Sequence, residues 1–250
     1  MGILNLTPDS FSDGGEYRTK KTALAHAYRM IDEGADIIDV GGESTRPGSD
    51  PVPAEEEIER VIDVIKELSS TADVPISIDT TKPAVAEVSI RGGASIINDV
   101  GGLREERMIG IAKEYDAPVV IVHMYGVPKT FASHTMEGHA KEEIKRFLNE
   151  RAEHAVSSGI KESNIIVDPG VGFGKTAEQD IFIVENSGWF SDRYPVLIGP
   201  SRKRFLSQYY PGMDKDKATA AAAAAAFESG ASILRVHNVS ETLSLLEKDR

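Results

Sequence analysis

The chain has 250 residues, of which 40% are hydrophobic, and its 28 Lys and Arg against 40 Asp and Glu give a net charge of -12. This length can bury one sizeable core and is typical of a single-domain barrel over residues 1–250. The acidic balance argues against a nucleic-acid surface, which would need a basic stripe. The absence of cysteine excludes disulfides, thiolate metal ligands and a cysteine nucleophile. We therefore expect a small-molecule partner.

The beginning of the chain and its hydropathy bear on location. Met1 to Asn5 has no basic segment followed by an apolar run, and no stretch has enough consecutive apolar residues to span a bilayer. We expect a cytoplasmic protein that does not associate with a membrane.

Short β-branched runs alternate with longer helical patterns along the whole chain. Strands are predicted at residues 2–5, 37–40, 76–79, 96–100, 119–123, 165–168, 196–199 and 233–237. Helices are predicted at residues 19–33, 54–69, 82–91, 105–115, 137–158, 176–186, 217–228 and 240–248. About eight β-then-α units in this length predict an α/β fold of the (β/α)8 TIM barrel type, with an open doubly wound sheet as the alternative.

The most informative stretch is the Gly-rich loop from Asp168 to Thr176, which follows a buried strand. A Walker A loop ending here would need glycine at Pro169, and a dinucleotide-binding pattern beginning at Gly170 would need glycine at Lys175. Neither motif fits. The common explanation for a lone Asp-Pro-Gly is a tight strand-to-helix turn, but similar polar strand ends recur elsewhere in the chain.

Polar residues end several of the predicted strands. In chain order they are Asn5, Asp79, Asn98, His123, Asp168, Arg235 and His237. For any one of them, a turn former, a helix cap or a satisfied core histidine is the more common explanation. On one rim of a barrel, however, so many polar groups would be costly to bury without a ligand or one another as partners. The set predicts a polar small-molecule site at the carboxyl ends of the strands.

The acceptors in this set suit one kind of ligand edge. Asp79, Asn98 and Asp168 could accept from a planar, donor-rich edge of the N-C(=N)-N type, the geometry that makes guanidinium-carboxylate pairs bidentate. The other members, Arg235 and His237 with Asn5, suit an anion. Arg235 and His237 are two residues apart, so in a strand they share a face.

Two lysines follow predicted strands. Lys203 lies in Pro200-Ser201-Arg202-Lys203-Arg204 after the seventh strand, where barrels often bind phosphate, although most basic runs are solvated. Lys175 lies about where a helix begins, and we expect its side chain to be solvent-exposed. Two long Gly-rich loops, residues 7–15 and 41–48, either close over a substrate or are mobile surface loops.

Together these motifs resemble the dihydropteroate synthase family. The matching segments are residues 2–15, 41–48, 77–80, 97–100, 122–124, 168–173, 201–203 and 235–237, so they run almost from end to end. The resemblance implies a (β/α)8 barrel, usually a homodimer, that uses Mg²⁺. It also implies a transferase of folate biosynthesis that joins 6-hydroxymethyl-7,8-dihydropterin diphosphate to p-aminobenzoate, giving 7,8-dihydropteroate and diphosphate.

The resemblance also implies a role for each matching residue. Pterin ligands would be Asp79, Asn98, Met124, Asp168, Phe173 and Lys203. Diphosphate ligands would be Asn5, Arg235 and His237, with Asn5 also on the metal. The p-aminobenzoate pocket and its closing loops would include Phe11, Thr45, Arg46, Pro47 and Arg204. Catalytic groups would be Lys203, Arg235, His237 and Asp13.

Two departures from the family pattern leave the aryl acceptor open: Arg204 stands where the family commonly has Ser, and Asn238 replaces a common Asp. In a third departure, the chain begins at its first barrel strand, without the leading hairpin of many members, so we expect either a more open barrel floor or an incomplete start. A related methyltransferase that uses a methylated tetrahydropterin and a corrinoid partner is the alternative enzyme, although it would not need residues 7–15, 201–203 or 235–237. A pterin-binding protein without catalysis is the alternative from another class.

Overall fold

The computed structural model describes residues 1–7, 16–44, 48–126, 135–138 and 140–247, without the side chains of residues 16–19. Its strands are β1 (Gly2–Asn5), β2 (Ile38–Gly41), β3 (Ile76–Asp79), β4 (Ile96–Asp99), β5 (Val119–Val122), β6 (Ile165–Asp168), β7 (Leu197–Ile198) and β8 (Ile233–Leu234). Its helices are α1 (Glu16–Asp32), α2 (Ala54–Thr71), α3 (Pro83–Arg91), α4 (Glu106–Glu114), α5 (Ala140–Ser157), α6 (Ala177–Glu185), α7 (Leu206–Tyr209), α8 (Lys215–Glu228) and α9 (Val239–Leu246).

The strands close into a parallel barrel. Strands β1 to β6 form one sheet in chain order, and β7 pairs with β8. Parallel bridges between Gly2 and Val236, and between Val167 and Val196, join the two sheets at both edges. The predicted (β/α)8 TIM barrel is therefore confirmed, and the open sheet is excluded.

The last two strands are shorter than predicted. Strand β7 lies between Pro195 and Pro200, and proline has no N–H with which to extend a ladder. Strand β8 ends early because its partner changes: Arg235 N donates to Ile198 O at 2.9 Å, whereas Val236 N donates to Met1 O at 3.0 Å. This change of partner is what closes the ring.

The strand register sets polar side chains in two rows. In the upper row, Asn5, Gly41, Asp79 and Asn98 are consecutive partners across β1 to β4. In the row below, the partners are Ile3, Asp39, Ser77 and Ile96. Because alternate residues of a strand face the same side, both rows face the barrel interior. Gly41 leaves a gap in the upper row between the side chains of its neighbours.

Apolar residues fill the rest of the barrel. A small inner cluster that includes Met1, Val120 and Leu197 lies inside the ring of strands, and a larger one fills the layer between strands and helices. The alanine-rich α8 buries seven residues, as expected for a closely packed helix. In the part of the chain that the structure describes, no helix is long and apolar enough to cross a membrane.

Gly170 is the position where the backbone most requires glycine. Its φ is 74°, and a Cβ there would lie 1.9 Å from the carbonyl oxygen of His123. We predict that Gly170→Ala lowers the free energy of unfolding by about 3 kcal/mol or more, because a left-handed backbone costs roughly 1–2 kcal/mol and overpacking adds to it. Equilibrium unfolding in urea measures the loss.

The matched control is Gly212→Ala. Gly212 has a φ of 76°, but a Cβ there would meet nothing within 4 Å. It should therefore lose only the conformational part, about 1–2 kcal/mol. Equal losses in the two variants would contradict the close approach of the Gly-rich loop to His123.

Candidate functional site

A cavity of about 910 Å³ opens at the carboxyl ends of the strands. Its lining combines strand-end residues with the Gly-rich loop and the loop after β7, and includes Asn5, Asp79, Lys175, Lys203, Arg235 and His237. This is the face on which barrel enzymes carry their active sites. The polar site predicted at this rim therefore coincides with a cavity that is large enough for a small molecule.

Arg235 crosses the floor of this cavity. Its Nε donates to Asp39 Oδ2 and its Nη2 to Asp79 Oδ2, both at 2.6 Å. Asn98 Nδ2 donates to the same Asp39 oxygen at 3.1 Å. Arg235 was predicted to bind the anion. In the structure its guanidinium donates to two buried carboxylates. Burial by itself would lower the pKa of Arg235, and the carboxylates of Asp39 and Asp79 raise it above its ordinary value.

Asp39 was missed by the sequence analysis. A signal was present, because a carboxylate in the middle of the apolar run Ile37 to Val40 is unusual in a strand of a parallel barrel. Asp39 is fully buried, and its Oδ1 has no hydrogen-bond partner among the described residues. A buried carboxylate of this kind needs a cation, which Arg235 supplies.

The two carboxylates predicted to accept from the ligand are both buried in the site. Burial raises the pKa of Asp79 to about 7 in spite of Arg235. Burial also raises the pKa of Asp168 to about 6, opposed by the Gly170 N–H and by Lys203. Asp168 Oδ1 accepts from Gly170 N at 2.7 Å, so this side chain shapes its turn, and the charges of Lys203 and Arg235 act on it.

Lys203 lies over the ring of Phe173, with its Nζ 4.1 Å from the ring centroid. Burial lowers the pKa of Lys203 to about 8, while the nearby carboxylates of Asp180 and Asp168 act in the opposite direction. Phe173 and Met124 pack against the inner apolar cluster. The structure thus places the predicted cation on one of the two predicted apolar walls, Phe173.

The prediction that Lys175 is solvent-exposed is wrong. Lys175 is buried, with 8% of its surface exposed, and its Nζ contacts three acceptors: His123 Nδ1 at 3.0 Å, and the carbonyl oxygens of His123 and Phe173 at 3.2 Å. The reason is that the Gly-rich loop from Asp168 to Thr176 folds back over the ammonium group. Burial and the Lys175 charge lower the pKa of His123 to about 2, so its neutral ring can accept this hydrogen bond.

Asp180, on α6, was also missed. Its Oδ1 accepts from Gly172 N at 2.7 Å, and its charge acts on both Lys175 and Lys203. Burial raises the pKa of Asp180 to about 6. The sequence around Asp180 gave no signal for this contact. Asp180 lies in the first turn of α6, and the loop that it contacts comes directly before that helix.

His237 lies beside Asn5 and Ser201. Its Nδ1 is 2.8 Å from Ser201 Oγ, and its Nε2 is 3.5 Å from Asn5 Nδ2. Two of the three residues predicted for the anion, Asn5 and His237, therefore come together at the cavity, and Ser201 joins them. Asn238, the next residue, accepts from Glu241 N at 3.0 Å and so caps α9.

The remaining predicted residues are less informative. Arg204 is exposed on the lining of the cavity. Predicted contacts from the two Gly-rich loops lie outside the described residues: Phe11, Asp13, Thr45, Arg46 and Pro47. Among the residues that the structure describes, no group of three or more His, Cys, Asp or Glu side chains could hold a metal ion.

Comparison with known proteins gives consistent matches over nearly the whole chain. A family model described as pterin binding enzyme matches residues 1–237. The chain is 42% identical over 245 residues to a dihydropteroate synthase of Bacillus subtilis, covering 96% of this chain and 84% of that protein.

Solved structures of the same kind superpose on this structure. A dihydropteroate synthase of Clostridium difficile, determined in the presence of pteroic acid, has a TM-score of 0.90 and 43% identity, covering 99% of this chain and 94% of that one. A dihydropteroate synthase of Xanthomonas albilineans with 4-aminobenzoic acid has a TM-score of 0.92 and 39% identity, covering 99% and 90%.

The burial of Lys175 generates a test of stability. We predict that Lys175→Met lowers the free energy of unfolding by about 2–4 kcal/mol, because it leaves buried acceptors of His123 and Phe173 without their charged donor. Equilibrium unfolding in urea measures this loss. Lys203→Met is the matched control and should lose less than half as much, because Lys203 Nζ donates to none of the described residues. Equal losses would contradict a mainly structural role for Lys175.

Proposed function

We propose that this chain, which belongs to the pterin binding enzyme family, joins 6-hydroxymethyl-7,8-dihydropterin diphosphate to p-aminobenzoate and releases diphosphate. The observation that carries this proposal is the pairing of buried acceptors with an anion site in one cavity. Asp79 lines the cavity together with His237 and Asn5, and the second acceptor, Asp168, is buried where the charges of Lys203 and Arg235 act on it. Such a cavity suits a ligand that has a donor-rich edge and an anionic tail.

The acceptors would hold the pterin by its N-C(=N)-N edge. Asp168 and Asp79 each present a carboxylate, and Asn98 Oδ1 is buried without a partner among the described residues. An unsatisfied buried acceptor is costly, so a ligand donor there would gain binding free energy. Phe173 and Met124 would cover the faces of the ring.

The protein's part in the chemistry would be to stabilise the leaving group and to position the amine. His237 and Arg235 would offset the charge that develops on diphosphate as the C–O bond breaks. Lys203 would donate to a pterin acceptor and orient the aryl amine. This amine is nucleophilic when neutral, so no strong base is required; its nitrogen forms the C–N bond and releases a proton.

Magnesium is proposed from the family resemblance. Asn5 offers one amide oxygen, 3.7 Å from the position that a Gly41 Cβ would occupy. Mg²⁺ is usually held by one or two protein oxygens together with substrate phosphates and waters, so Asn5 fits a metal that binds with the diphosphate. When bound, Mg²⁺ would neutralise charge on the departing diphosphate.

The acceptor site, the assembly and the location are also proposals. Arg204 at the cavity would lie near the carboxylate of the aryl amine, with Phe11, Asp13, Thr45, Arg46 and Pro47 in the closing loops. The resemblance further implies a homodimer, and we also propose a cytoplasmic location. Sedimentation velocity would test the dimer, and turnover with alternative aryl amines would define the acceptor.

Release of diphosphate is the decisive assay. With both substrates and Mg²⁺ the protein should release diphosphate, whereas a corrinoid-linked methyltransferase or a non-catalytic binding protein would not. Lys203→Met keeps the apolar stem and removes the charge, so turnover should fall by about two orders of magnitude, in the range of losing a preorganised donor. Lys145→Met, which removes an ammonium lying over Trp189 on the outer surface, should leave turnover unchanged.

Pterin binding should depend on pH through Asp168. Its pKa of about 6 means that the carboxyl is protonated below this pH, so that it loses its charge and presents an O–H donor in place of one acceptor. Affinity for a simple pterin, measured by calorimetry, should therefore weaken as pH falls from 7 to 5, by up to about tenfold per pH unit. The raised pKa of Asp79 acts in the same direction.

The control for this pH dependence is Asp168→Asn. It should bind the pterin more weakly at pH 7, by roughly 1–3 kcal/mol, because an amide nitrogen replaces an acceptor. It should also show a shallower pH dependence than the wild type. Unchanged affinity at pH 7 would remove Asp168 from the site.

A further inference from the structure

We propose that Ser201 is a positioning residue that keeps the proton of the neutral His237 ring on Nε2, the nitrogen on the Asn5 side of the cavity. The inference rests on the proposed function only in taking diphosphate as the anion that this N–H contacts. Its main evidence is the hydrogen bond between Ser201 Oγ and His237 Nδ1, at 2.8 Å.

A count of hydrogens decides the direction of this bond. Ser201 Oγ also accepts from the backbone N–H of His237 at 3.2 Å. The hydroxyl therefore has one lone pair engaged and one hydrogen to donate. If it donates to Nδ1, every group in the pair is satisfied, and the neutral imidazole must carry its hydrogen on Nε2.

The opposite tautomer satisfies the pair less well. If Nδ1–H donated to Ser201 Oγ, this oxygen would accept twice, and its own hydrogen would have no recorded partner among the described residues. Ser201 is only 6% exposed, so water has little access to that hydrogen. A buried donor left without an acceptor is disfavoured.

The contact on the other side of the ring is too weak to oppose this assignment. Asn5 Nδ2 lies 3.5 Å from His237 Nε2, which is long for a hydrogen bond. An arriving anion oxygen can take the place of that weak partner, whereas it would be repelled by an Nε2 lone pair.

A second link holds the same two loops together. Arg202, next to Ser201, donates to both oxygens of Asp216, at 2.9 and 3.1 Å. Asn238, next to His237, donates through Nδ2 to Asp216 Oδ2 at 3.1 Å. The Asp216 carboxylate thus links the residue next to Ser201 to the residue next to His237. This arrangement also accounts for asparagine at 238, since an aspartate there would face the carboxylate of Asp216.

The tautomer is tested directly by ¹⁵N NMR of histidine-labelled protein at a pH where the ring is neutral. We expect His237 Nδ1 to resonate as an unprotonated acceptor and Nε2 as a protonated nitrogen, with the signals assigned by their loss in His237→Gln. Ser201→Ala should shift the ring towards a mixture of tautomers, and Ser201→Thr, which keeps the hydroxyl, should restore the wild-type pattern. A protonated Nδ1 in the wild type would overturn the proposal even if no variant folded.

Inorganic pyrophosphate with Mg²⁺ tests the consequence for the anion. Calorimetry should show affinity about tenfold or more weaker in Ser201→Ala and recovered in Ser201→Thr, in line with one hydrogen bond to a charged group. Binding of a simple pterin should be the same in all three proteins. Equal pyrophosphate affinity in wild type and Ser201→Ala would overturn the role of Ser201. Failure of the wild type to bind pyrophosphate would count against the proposed function, while the NMR result would still decide the tautomer.

Discussion

The ion pairs of the partly buried Arg235 guanidinium are the interaction on which the rest of the site depends. Taking an arginine into the interior of a barrel costs several kcal/mol unless carboxylates meet it in good geometry. Asp39 and Asp79 do so, each at 2.6 Å. They come from adjacent strands and from successive rows of the register, so the guanidinium links β2, β3 and β8 across the floor of the cavity.

This constraint explains why the upper part of the barrel is polar while the lower part is not. Below the ion pairs, Met1, Val120 and Leu197 fill the interior with apolar side chains. At the level of the ion pairs, Asp39 Oδ1 and Ser77 Oγ are buried without partners among the described residues. Two carboxylates against one guanidinium leave negative charge, which suits a ligand that presents several donors.

The sequence predicted the positions of the elements and of most strand-end residues because both follow from local patterns. The parallel register places residues at the same level of neighbouring strands beside one another, so the residues that end β1, β3 and β4 lie close together. Asp39 lies within a strand, so the pattern of polar strand ends does not indicate it. The partners of Arg235 could not be derived, because they depend on which row of the barrel each side chain occupies.

The loop after β6 shows the limit of local reasoning more clearly. A lysine at the start of a helix is most often solvated, and nothing between Gly174 and Ala177 indicates otherwise. Lys175 is buried because positive φ values at Gly170, Gly172 and Gly174 turn the chain back on itself. The carbonyl oxygens that the ammonium contacts are brought together by that turn and not by any spacing in the sequence.

The same turn separates the roles of the two lysines. Lys175 is buried, whereas Lys203 is partly exposed. Both have a lowered pKa, chiefly because of desolvation, so the direction of the pKa shift does not distinguish them. Hydrogen bonding does. The three donors of Lys175 face three protein acceptors, which leaves none for a ligand. Lys203 instead rests on the Phe173 ring, with its Nζ bonded to no described acceptor. A donor held in place but not used by the protein is the one that remains for a substrate.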